Sequence, residues 1–80
     1  VMHNAIVNAS VSIEDNCIIN SKALIEHDCL ISKHCHISTN AIINGGVTVE
    51  SGCFVGSSAI TKESITISEN SFIKARSLVV

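Results

Sequence analysis

The stretch Ile25-Glu26-His27-Asp28-Cys29-Leu30-Ile31-Ser32-Lys33-His34-Cys35-His36-Ile37 decides the fold, because its isoleucines recur every six residues and its cysteines do the same in a second column. Reading outward at that interval gives Val1, Val7, Ile13, Ile19, Ile25, Ile31, Ile37, Ile43, Val49, Val55, Thr61, Ile67, Ile73 and Val79. Thirteen of these fourteen positions are aliphatic, in a chain with only 24 Ile, Leu and Val among 80 residues, so the period is not a product of composition. Four places after each large residue comes a small or β-branched one: Ala23, Cys29, Cys35, Ala41, Val47, Cys53, Ala59. A helix at 3.6 residues per turn would smear a six-residue period around its surface. Short strands joined by tight corners keep one large and one small inward residue per hexad, the pattern of a parallel β-helix.

The hexads run from Val1 to Val79 without an insertion, which predicts one domain over residues 1–80. The chain opens on Val1 and closes on Leu78-Val79-Val80 with no polar capping segment, so the expectation is a piece of a longer protein. Five basic and seven acidic residues, no basic run and no Trp or Tyr argue against a nucleic-acid partner. Apolar residues never reach the ~20 consecutive positions of a membrane helix, and no signal peptide is legible. The four cysteines all fall in the inward small-residue column, which favours free, buried thiols and a cytoplasmic protein over a disulfide framework.

Taking three hexads, eighteen residues, per coil, which the family resemblance given below implies, sorts the outward residue before each large aliphatic into three faces. One carries Ile6, Leu24, Ile42, Ile60 and Leu78; the second Ser12, Leu30, Thr48 and Thr66; the third Ile18, His36, Phe54 and Phe72. Five outward aliphatics in a row exceed what a monomer leaves exposed. Packing the first face against the third face of a neighbour, head to tail, predicts a homotrimer with its sites between subunits.

The clustered titratable groups that the repeat does not require are in the opening stretch. Asn20, then Ile25-Glu26-His27-Asp28-Cys29, then His36-Ile37-Ser38, then Gly45, together with the hexads, resemble the hexapeptide-repeat acyltransferases, and within them the sialic acid O-acetyltransferase and nucleotide-amino-sugar N-acetyltransferase group. The resemblance spans nearly the whole chain, and it rests more on the joint spacing of His27, His36 and Gly45 than on the hexads. It implies an all-β, left-handed parallel β-helix of about four coils with a triangular section. The left hand comes from the resemblance alone, because parallel crossovers generally prefer the right hand.

The same resemblance implies an acetyl-coenzyme A dependent transferase acting on an amine or hydroxyl of a sugar, nucleotide-amino-sugar or sialic acid. His27 would be the general base and Asp28 the acid that orients it; imidazole titrates near neutral pH, which suits that work. His36, Gly45 and Asn20 would contact substrate or acetyl donor, with the Gly45 amide facing the developing oxyanion. A Gly45-Gly46 corner that needs positive φ is the competing account of Gly45. No metal is expected, since Cys29 and Cys35 belong to the inward column while His27 and His36 fall on outward positions. His3 and His34 read as surface residues. The competing functional reading is a non-catalytic trimeric β-helix used as a scaffold.

Overall fold

The structure is a computed structural model that describes residues 2–80. Those residues form thirteen two-residue strands and no helix, and no helix is long and apolar enough to cross a membrane. In chain order the strands are β1 (Ile6–Val7), β2 (Ser12–Ile13), β3 (Ile18–Ile19), β4 (Leu24–Ile25), β5 (Leu30–Ile31), β6 (His36–Ile37), β7 (Ile42–Ile43), β8 (Thr48–Val49), β9 (Phe54–Val55), β10 (Ile60–Thr61), β11 (Thr66–Ile67), β12 (Phe72–Ile73) and β13 (Leu78–Val79).

Every third strand pairs in parallel, giving three sheets in the orders β1-β4-β7-β10-β13, β2-β5-β8-β11 and β3-β6-β9-β12. The register joins residues eighteen apart, such as Leu24 with Ile42 and His36 with Phe54. Three hexads therefore close one coil, and the chain is a three-sided β-solenoid of about four coils, the coil length that the resemblance implied.

Inside, the two inward columns fill the core completely. Ile19, Ile25, Ile31, Ile37, Ile43, Val49 and Val55 are at most 1% exposed, and Ala23, Cys29, Cys35, Ala41, Val47, Cys53 and Ala59 at most 2%. Each buried Ile or Val contributes about 1.5–3 kcal/mol. A coil buries its inward residues against the coils on both sides, so the columns become partly exposed toward the first and last coils, as at Val7 and Ile73.

The corners explain why the period holds so strictly in the backbone. One residue in each hexad takes positive φ: Asn4, Ser10, Asn16, Lys22, Asp28, His34, Asn40, Gly46, Gly52, Ser58, Ser64, Asn70 and Arg76. In that left-handed conformation the corner N–H turns to the preceding coil. Asp28 N–H donates to the Ala9 carbonyl, Gly46 N–H to His27, and Ser64 N–H to Gly45. Only two of these corners are glycine, although a non-glycine residue costs about 1–2 kcal/mol there. Asn and Asp tolerate it best, which fits their frequency at this position.

All four cysteines are free. Each thiol donates to a backbone carbonyl fifteen residues on: Cys17 to Ser32, Cys29 to Asn44, Cys35 to Glu50 and Cys53 to Ser68, at 2.9–3.1 Å. A small inward residue with a weak donor thus covers a carbonyl of the next coil, which alanine could not do. Burial pushes the Cys29 and Cys35 thiols above the ordinary thiol range.

A candidate active-site groove at one corner

His27 and Asp28 are the two corner residues that follow β4. The left-handed φ of Asp28 folds its side chain back toward its neighbour, and His27 Nδ1 lies 3.0 Å from Asp28 Oδ2. A carboxylate only accepts, so Nδ1 carries the proton in this contact and the lone pair of a neutral ring is at Nε2. Both side chains are about two-thirds exposed, so the ion pair adds little stability of its own.

Gly45 stands one coil beyond, eighteen residues after His27. The imidazole occupies the space a side chain would fill there: a Cβ on Gly45 would lie 2.8 Å from His27 Cε1 and Nε2. Gly45 does not take positive φ; Gly46 does. The two accounts of the glycine pair therefore divide between its members, with Gly46 serving the turn and Gly45 the close approach of the ring. Among the described residues the Gly45 N–H donates to no group, while its carbonyl accepts from Ser64 N–H at 2.9 Å. An unengaged amide beside a basic ring nitrogen is the pairing that acyl transfer uses for oxyanion and proton.

These three residues line an open groove of about 700 Å³ that extends over three successive coils of the corner. Glu26 and Asn44 line it as well, with Glu63 and Ser64 from the coil beyond Gly45 and Gly46. Sequence reasoning missed Asn44 and Glu63. The signal was present for Glu63, since His27, Gly45 and Glu63 are spaced by eighteen and must stack at one corner.

Beneath the groove lies the one break in the aliphatic column. Thr61 is 1% exposed, and its Oγ1 accepts the Asn44 N–H at 3.0 Å. In the preceding coil the equivalent bond runs from Glu26 N–H to the Ile43 carbonyl. Here the carbonyl of Thr61 is left to accept from the Asn44 side-chain amide at 2.7 Å. The hydroxyl thus substitutes for a rung of the ladder, satisfies itself in the core, and fixes the Asn44 side chain along the groove wall.

Asn20 and His36 are on another part of the molecule, outside the groove lining. Asn20 Nδ2 is 3.5 Å from His36 Nε2, at the outer limit of a hydrogen bond. The His36 ring meets Phe54 edge-on with centroids 5.1 Å apart, and Phe54 stacks on Phe72 at 5.0 Å. This ladder gives the half-buried histidine an aromatic neighbour and a polar one, which lowers the cost of its place on an apolar face. His34 Nδ1 contacts Asn16 Nδ2 at 3.0 Å on the surface. Within one chain, then, the five residues singled out by the sequence divide into His27, Asp28 and Gly45 in the groove, and Asn20 and His36 apart from it.

No family model matches the chain, and no curated protein matches it significantly. The class that fold and groove define is a parallel β-solenoid of hexapeptide repeats carrying a histidine–carboxylate–glycine corner.

Proposed function

We propose that the chain is the β-helical part of an acetyltransferase that moves the acetyl group of acetyl-coenzyme A to an amine or hydroxyl of a sugar, nucleotide-amino-sugar or sialic acid. The observation that carries the reading is the His27 ring packed over Gly45 with Nδ1 held by Asp28. That arrangement directs the basic Nε2 to the site where a thioester would meet the free Gly45 amide. His27 accepts the acceptor's proton as the nucleophile attacks, Asp28 stabilises the imidazolium, and the Gly45 N–H stabilises the oxyanion.

His36 and Asn20 enter this reading through a homotrimer. The aliphatic face of one subunit, with Leu24 and Ile42 at its centre, packs on the aromatic face of the next. The neighbour's His36 and Asn20 are then brought near the corner that carries His27. A non-catalytic scaffold is favoured by one observation, the outward aliphatic column Ile6, Leu24, Ile42, Ile60 and Leu78, which association alone would explain.

The test is the melting temperature of the chain with and without acetyl-coenzyme A, for the original sequence and for His27→Ala. A donor at a hundredfold excess over Kd stabilises the folded state by about 2.7 kcal/mol. For a domain of this size that is a rise of roughly 10 °C or more. Binding joined to His27-dependent release of free coenzyme A thiol in the presence of an acceptor supports the enzyme; no shift at saturating donor supports the scaffold.

A further inference from the structure

The groove carries three carboxylates and no lysine or arginine. Two of the three are engaged: Glu26 accepts from Asn8 Nδ2 at 2.6 Å, and Asp28 accepts from His27 at 3.0 Å. Among the described residues Glu63 accepts no hydrogen bond, and the His27–Asp28 contact is the one ion pair, so the adjacent Lys62 forms none with Glu63. Glu63 is one coil beyond Gly45, in the column Ala9, His27, Gly45, Glu63. Because Gly45 has no side chain, the imidazole fills its place, and the Glu63 corner follows at a single layer spacing, ~4.8 Å. His27 and Glu63 line the same groove, so a nitrogen bound between them would meet the His27 ring on one side and the Glu63 carboxylate on the other.

We infer that Glu63 is the acceptor-recognition residue of this groove and that the acceptor is a primary amine on a sugar without an acidic group. The inference rests on the acetyltransferase reading and narrows it. A sugar amine enters mainly as its ammonium ion, to which Glu26, Asp28 and Glu63 present a favourable field, whereas a sugar carboxylate meets like charge. The ammonium gives one proton to solvent and leaves a neutral amine whose remaining N–H is held by Glu63. Its lone pair attacks the thioester carbon, so that the N–C bond forms and the C–S bond breaks. The second amine proton passes to His27 Nε2 and from there to the departing thiolate, which leaves as the thiol. The products are an N-acetyl sugar, free coenzyme A and one proton in solution.

The experiment uses the chain with acetyl-coenzyme A and two probes, glucosamine and N-acetylneuraminic acid, and compares the original sequence with Glu63→Gln and Glu63→Asp. Transfer to glucosamine but not to the acidic sugar is expected. Glu63→Gln is expected to raise KM for glucosamine about tenfold, the effect of losing one charge-assisted contact, with kcat and the acetyl-coenzyme A melting shift little changed. Glu63→Asp, which keeps the charge, recovers part of that loss, and a merely structural role would not separate Gln from Asp in this way. Transfer to the acidic sugar as efficient as to glucosamine, or an unchanged KM in Glu63→Gln, overturns the inference while leaving the acetyltransferase reading intact. No melting shift with acetyl-coenzyme A and no transfer to either probe removes that reading, and the inference with it.

Discussion

Replacing Gly45 by alanine separates the site from the scaffold. The new Cβ would lie 2.8 Å from two ring atoms of His27 and 3.3 Å from a third. An optimal carbon contact is ~3.5–4.0 Å, so the ring must move by about 1 Å. It is free to do so, since the His27 side chain is 66% exposed and the obstacle is the far end of a side chain rather than backbone. A rotation of roughly 30° off its rotamer costs on the order of 0.5–1.5 kcal/mol. Against this, alanine at a position without positive φ stabilises by about 0.4–1 kcal/mol through the unfolded chain. The net change is within about 1 kcal/mol, a melting shift of no more than ~4–8 °C.

In the proposed acetyltransferase the consequence for chemistry would be larger, because a 1 Å misplacement of a catalytic group costs on the order of a hundredfold in rate. The assay pairs thermal unfolding with acetyl transfer, and adds the nuclear Overhauser contact between the His27 ring and residue 45. Gly56→Ala is the contrast. There the Cβ would be 2.5 Å from Ala75 N and 2.7 Å from Ile73 O, which are backbone atoms with nowhere to go, so that variant loses stability heavily. A Gly45→Ala protein that keeps its melting temperature and its full rate refutes the catalytic reading of the His27–Gly45 stack. One that unfolds like Gly56→Ala shows instead that Gly45 is needed by the coil.

Three further outcomes are expected. Thr61→Val removes the hydroxyl that accepts the Asn44 N–H; amide exchange at Asn44 should change and acetyl transfer should fall, Thr61→Ser should restore both, and equal behaviour of Val and Ser would dissociate Thr61 from the groove. The double variant Leu24→Lys, Ile42→Lys puts two charges into the proposed dry contact and should give monomers or aggregates by light scattering, whereas an intact trimer would assign association to another face. The Cys29 and Cys35 thiols are raised by burial, so the folded state keeps protons that the unfolded state gives up. Their stabilising effect is complete below the unfolded thiol pKa of ~8.5 and declines as pH rises through that value toward the folded ones; urea unfolding at neutral and alkaline pH measures it, and stability rising across that interval would contradict the assignment.

The fold was legible because the repeat leaves little freedom in two of its six positions. One large and one small inward residue per hexad are a direct image of the core, and the register of eighteen follows once three hexads are taken to close a coil. What the period could not convey was how outward side chains reach one another. Asn20 and His36 are sixteen apart and occupy different columns, so their contact depends on side-chain length and rotamer, not on register. Thr61 was visible as the exception in an aliphatic column, yet the same residue type is equally compatible with a packing fault. Only the bond to Asn44 shows that its hydroxyl replaces a ladder rung.

Glu63 is the more instructive omission. The resemblance drew attention to His27, His36 and Gly45 and stopped at the residues it contained, although the eighteen-residue column runs on past Gly45 to Glu63. On a solenoid, an outward residue has as its nearest non-local neighbours the residues one coil before and one coil after, and a glycine in such a column joins the two on either side of it. His27 and Glu63 are two coils apart in sequence terms, but the missing side chain at Gly45 makes them the two walls of one space. A functional group on this scaffold is therefore defined by a column and its gaps, and a deletion of side-chain volume at one coil is as informative as the histidine at the next.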